Sequence, residues 1–215
     1  MSKPISHFLG EGLLIVFSIL LALGANEWRT HSNDARNLKR AVADLSAEIS
    51  ENLILMEGLP EYHRMIGIGL SQSVEELRKN PEEHSKTPIQ LMMKLDGLRN
   101  TLLGFSAPLQ SVSWQTAKDR GIVAQLDYDT AKALSATYDE QLADISTMMY
   151  QIGGGLGDIK MHKAQDQEAI LTALSANFFE FAAREESLIY LLEKSQKILH
   201  EQYPKAAATD QQGES

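Results

Sequence analysis

The stretch "GEGLLIVFSILLALGANEW", Gly10 to Trp28, is a nearly unbroken apolar run with one carboxylate, Glu11, near its start. Nothing else in the chain constrains its folding as much. Phe8 to Trp28 is 21 residues. At about 1.5 Å per helical residue they span about 30 Å, one hydrocarbon thickness. Three readings compete. A soluble core helix is disfavoured by so apolar a run at the extreme N-terminus. A signal peptide has some support, because Lys3 forms a thin basic start and Ala22-Leu23-Gly24 resembles a small-x-small cleavage site. The mature chain would then be a cleaved, secreted helical protein. Against it, Glu11 interrupts the apolar region and a helical pattern continues past Trp28. A retained membrane anchor over residues 1–30 explains more. Glu11 falls about 10 Å from the midpoint near Ser18, close enough for its carboxylate to reach the interface. Trp28, followed by Arg29, then anchors the opposite interface.

The acid has a helical context. His7 stands four residues before Glu11, and the same face continues through Leu14, Ser18, Ala22 and Ala25. Small residues at this spacing let helices approach closely in lipid. One reading is a polar and small stripe that docks a second transmembrane helix, with Glu11 hydrogen-bonded across it. The other is an interfacial acid without a partner.

Past the anchor, Leu38, Val42, Leu45, Ile49 and Met56 follow alternating three- and four-residue steps, with Asn52 completing the series. This is a heptad seam with one polar position, a device that can fix register or partner number. It predicts a stalk helix continuous with the anchor. Arg29, Arg36 and Arg40 share another face, suited to lipid phosphates or simply to solvent.

Further helices are expected over Glu61 to Arg78 (Met65, Ile66, Leu70, Val74 and Leu77 inward), Ile89 to Leu103, a short segment capped by Ser111 or Ser113 and ended at Gly121, Asp129 to Ile152 (Leu134, Tyr138, Leu142, Ile145 and Met149 inward), and a last helix reaching Tyr203. In that last helix Leu171, Leu174, Phe178, Phe181, Leu188, Leu192 and Leu199 keep the seam. Lys79 to Pro88 reads as a loop and Gly153 to Gly157 as a turn or hinge. Residues 204–215 read as a disordered tail. No strand pattern appears. The expectation is an all-α fold: a single N-terminal transmembrane helix running into a stalk and an antiparallel helical bundle over residues 31–203.

Chemistry is sparse. The chain has no Cys, which removes disulfides and thiol catalysis, and its net charge of -9 disfavours nucleic acid as a partner. The glycine cluster at 153–157 does not match a dinucleotide fingerprint, since Asp158 stands where the last Gly belongs. "DYDTAK" from Asp127 starts like a calcium loop but has Lys132 at the sixth position and Tyr138 at the twelfth, so helix capping is the simpler reading. His200-Glu201 opens a zincin pattern that Pro204 fails to close, and His162 with Asp166 offers only two ligands. No metal, cofactor or catalytic residue is assigned. Trp114 and Tyr138 fall on successive helices joined at Gly121. Either they fill a helix-turn-helix corner or, with Lys118, they bound a ligand pocket beneath it.

Two stretches together resemble an uncharacterised family of bacterial single-pass inner-membrane proteins. One is the opening run, with its Gly-Glu pair and its Asn26-x-Trp28 end. The other is "SWQTAKDRGIVAQLDYDTAKALSATYDEQL", with Trp114, Ala117, Lys118, Gly121, Leu126, Leu134 and Tyr138 at the family's spacing. "RNLKRAVADLSAEISENLIL", Arg36 to Leu55, is similar as well. The match covers under half the chain. It implies topology without an activity, and a body on the periplasmic side. Counting basic residues points the other way, since Arg29, Arg36, Lys39 and Arg40 outnumber Lys3 and the amino terminus. The expectation adopted is a non-enzymatic, periplasmic scaffold, adaptor or sensor. Its partners are membrane lipid and either a second copy or another membrane protein. A periplasmic receptor or enzyme with its pocket at Trp114 and Tyr138 is the alternative.

Overall fold

The computed structural model describes residues 5–94 and 109–207, with side chains from residue 13 onward apart from that of Asp144. The described elements are all helical. They are α1 (Ile5–Met56), α2 (Leu59–Lys79), α3 (Pro88–Met92), α4 (Val112–Asp119), α5 (Tyr128–Asp139), α6 (Ser146–Leu156), α7 (Gln167–Gln202) and α8 (Pro204–Ala207). A π-helical segment, Glu140–Ile145, joins α5 to α6 without a turn.

One uninterrupted helix of 52 residues carries the apolar run. It is long and apolar enough to cross a membrane, and its apolar window has a mean hydropathy of 1.4 with none of it buried. From Leu13 to Ala41 no residue is buried; burial begins at Val42 and continues through Leu45, Ile49, Asn52 and Met56. The seam therefore serves this chain's own core. Between Trp28 and Val42 lie about 20 Å of exposed helix.

Hydrogen bonds between elements fix how the helices run. Gln196 of α7 donates to Ser50 and Ser46 meets His200. Further along, the Ser175 hydroxyl donates to the Gly67 carbonyl and Arg78 pairs with Glu168. Rising numbers in α1 and then α2 thus meet falling numbers in α7. Gly58, in the left-handed region at φ 75°, makes the break between α1 and α2. At Gly67 a Cβ would lie 3.2 Å from the Phe179 ring, so the bare backbone lets α2 close on α7. On the other flank Thr137 meets Ser195 at 2.8 Å, and Gly155 lies against Leu174, again in the opposite sense.

Local signals explain most boundaries. Thr87 and Gln90 form a capping box at α3. Gly121 has φ 68°, and Ile122 N–H donates to the Ala117 carbonyl at 2.9 Å, closing α4 with a Schellman-type turn. Asp127 caps α5 by accepting from Thr130 N–H at 3.0 Å.

Several expectations are corrected. Met65 is 61% exposed while His63 is buried. Leu142 is exposed and Gln141 is buried in its place, because Gln141 has polar partners in the interior. Met149 is half-buried against the core, and Met148 beside it is the more buried of the two. The glycines from Gly153 do not form a hinge: α6 continues through them and stops at Gly157. Pro204 starts a helical turn rather than the tail, and Ala206 and Ala207 are buried against the core. Of the helix expected over Ile89 to Leu103, the structure describes α3 and its exit through Lys94; the remainder lies outside the described residues.

Asp127 provides a first test. Hydrogen bonding from Thr130, whose backbone N–H reaches the carboxylate, holds the Asp127 carboxyl below its usual range. A carboxyl lowered by folding stabilises above its unfolded pKa, and that contribution is lost as pH falls through the folded value. Asp127→Ala is expected to cost about 1 kcal/mol at pH 7, and Asp127→Asn, still a good cap, a few tenths. The Ala penalty should shrink in thermal melts taken at progressively lower pH below about 4. A penalty independent of pH rules out the carboxylate as the cap.

Candidate functional site

Trp114 and Tyr138 come together as the spacing around Gly121 suggests. Their rings stack at 5.1 Å between centroids with 4° between planes, and both are almost fully buried. Lys118, one turn after Trp114, places its Nζ 5.8 Å from the indole centroid, within cation–π range. Gly121 closes α4 below them.

The carboxylate that organises this corner is Glu48, on α1. It is 3% exposed. Its Oε2 accepts from Ser113 N–H at 2.7 Å and its Oε1 from Trp114 N–H at 3.3 Å. Tyr138 Oη donates to the same Oε1 at 2.7 Å. Ser111 holds the N-cap position of α4 without a side-chain cap bond, so a residue from another helix caps α4 in place of the expected serine. Burial, then the hydrogen bond to Glu48 and its charge, push the Tyr138 phenol above its ordinary pKa and keep it a donor.

One turn further along α1, Asn52 extends the polar seam. Its Oδ1 accepts from Gln110 N–H at 2.7 Å, and its Nδ2 donates to the Gln110 carbonyl at 2.8 Å. Gln141 Nε2 donates to that same carbonyl at 2.9 Å. Asn52 reads the backbone at residue 110 and so fixes the strand of chain entering α4. The polar position of the heptad seam is used within the chain.

Chemically the corner is a filled socket. The Glu48 carboxylate has three donors on it, and the space between Trp114 and Tyr138 is closed by ring stacking. Sequence reasoning missed Glu48. Its one signal is position, three residues after Leu45 and four before Asn52, on the seam face.

The residues expected to form an anchor sit apart from this corner, on the exposed part of α1. Ser18, Ala22, Ala25, Trp28 and Arg29 are all exposed. The Ser18 hydroxyl donates to the Leu14 carbonyl at 2.8 Å and is satisfied within its own helix. The side chains of His7 and Glu11 lie outside the described residues. Among the described residues no group of three or more His, Asp or Glu is placed to hold a metal ion.

Comparison with family models, with curated proteins and with solved structures finds no match for this chain.

Proposed function

We propose that this chain is a single-pass protein of the bacterial inner membrane. On this reading an antiparallel helical bundle stands on a transmembrane helix and works as a scaffold, adaptor or sensor through helix contacts, without catalysing a reaction. The observation that carries it is the continuity of α1, which passes from an exposed apolar window into the core at Val42 without a break. A rigid helix with one end in lipid and the other in a packed core transmits rotation or displacement between the two. The filled corner at Trp114 and Tyr138 supports interaction over turnover. The resemblance of the opening run and of the Trp114 to Tyr138 segment to single-pass inner-membrane proteins supports the periplasmic side.

Three measurements test this. The full chain should stay with membranes through carbonate extraction, and mature protein should not begin near Asn26. A C-terminal alkaline phosphatase fusion should be active and a fluorescent-protein fusion dark; the reverse pattern places the body in the cytoplasm. In-membrane energy transfer between tagged copies should fall for Glu11→Leu, by about 1 kcal/mol of association on the scale of interhelical hydrogen bonds. Ala22→Leu should disrupt the same contact sterically, and Leu20→Ala should not. If all three variants associate like the parent, the stripe faces lipid.

A further inference from the structure

A groove of about 200 Å³ lies between α1 and the outer side of α4. Arg40, Asn37 and Asp44 line it from α1, and Thr116, Ser113 and Arg120 from α4 and its C-cap. Arg64 pairs with Glu61 and Glu186, and Arg78 with Glu75 and Glu168, while Arg36 bonds the Ser32 carbonyl and the Asn33 side chain. Among the described residues Arg40 and Arg120 have no carboxylate partner, and neither guanidinium makes an ion pair or a side-chain hydrogen bond. Two unpaired guanidiniums therefore share one concavity in a chain whose net charge is -9. Guanidinium forks match carboxylate and phosphate oxygens in pairs, and the Asn37 amide and the Thr116 and Ser113 hydroxyls add neutral partners.

We propose that this groove binds a small soluble dianion, one carrying two carboxylates or a phosphate, held between Arg40 and Arg120. The assignment to a soluble ligand rests on the membrane reading above. Arg40 stands twelve residues past Trp28, about 18 Å along the helix, beyond a headgroup layer about 5–8 Å deep. The ligand ties α4, and with it the Trp114 corner, to the helix that enters the membrane. That makes the groove the input of a sensor and the anchor its output.

The test is calorimetric titration of the full chain in detergent micelles, at constant ionic strength, with succinate and separately with inorganic phosphate. Saturable binding of at least one is expected. Arg40→Gln and Arg120→Gln should each weaken it by about tenfold or more, the scale of a lost charge-assisted pair. Asp44→Asn, which removes the one carboxylate of the lining, should tighten it. Lys132→Gln, exposed on α5 and outside the groove, should change nothing. All four side chains are exposed, so circular dichroism and melting midpoints should match the parent. No saturable heat from either anion at about 10 mM, arginine variants that bind like the parent, or weakening by Asp44→Asn overturns the proposal. Repeating the titration in phosphatidylcholine nanodiscs with and without phosphatidylglycerol identifies the source. Equal affinity supports a soluble ligand; competition by the acidic lipid assigns the groove to a headgroup and overturns it. A chain that fails carbonate extraction yet binds succinate loses the membrane reading and keeps this site.

Discussion

Glu48→Ala should lower stability by about 3 kcal/mol or more, because the change strands three donors at once. Ser113 and Trp114 N–H are two of the first amides of α4, which has no cap from its own sequence. Tyr138 Oη is the third, on a side chain that is 0% exposed and has no route to water. Glu48→Gln keeps the volume and one acceptor oxygen but turns an amide N–H toward a donor, so an intermediate loss is expected. Unfolding should be followed in detergent by the fluorescence of Trp114 in a Trp28→Phe background, which isolates it because the chain has two tryptophans. Tyr138→Phe should cost about 1 kcal/mol in the parent and close to nothing once Glu48 is Ala, since the hydroxyl then has nothing left to lose. A Glu48→Ala loss below about 0.5 kcal/mol, the range of an ordinary surface change, defeats the view of Glu48 as the corner's organiser.

Glu48 also marks where sequence reading stops. Apolar periodicity located Val42, Leu45, Ile49 and Met56, and the Leu171 to Leu199 seam, because each such residue has one strong preference, to leave water. The Gly121 terminus was legible because a left-handed residue at a helix end favours glycine. Buried polar residues carry no comparable signal. Gln141 displaces Leu142, and His63 displaces Met65, because a specific partner waits at each place: the Gln110 carbonyl for one, Glu185 for the other. Those partners lie 31 and 122 residues away along the chain. A periodicity argument weighs each side chain alone and assigns the more apolar one to the core. The glycines of α6 mislead in the reverse direction. Their cost in a helix is real, but Ile152 is fully buried and Gly155 sits against Leu174, and tertiary packing overrides it. The groove at Arg40 and Arg120 was equally illegible, since its two sides are 80 residues apart and neither arginine is distinctive by itself.

The pair made by His63 and Glu185 allows the most discriminating test of such hidden contacts. His63 Nδ1 lies 2.7 Å from Glu185 Oε2, with side-chain exposures of 1% and 2%. The imidazole packs 4.7 Å from the Phe181 ring and 6.0 Å from Phe178. A polar pair in so apolar a setting owes its tolerance to the bond between its members. Removing either member leaves the other buried without that partner. His63→Leu and Glu185→Leu are therefore each expected to cost about 3–5 kcal/mol. The double variant, with leucine at both positions, fills similar volume and buries no polar atom at either. It should recover most of the loss and come within about 1 kcal/mol of the parent or exceed it. Chemical denaturation of the four proteins gives the coupling energy directly. Recovery in the double variant means that the pair costs the fold little and serves to hold α2 in register on α7. A double variant as unstable as the sum of the two singles shows instead that each side chain is held by its other neighbours, and that the bond between them does not set the packing of α2 on α7.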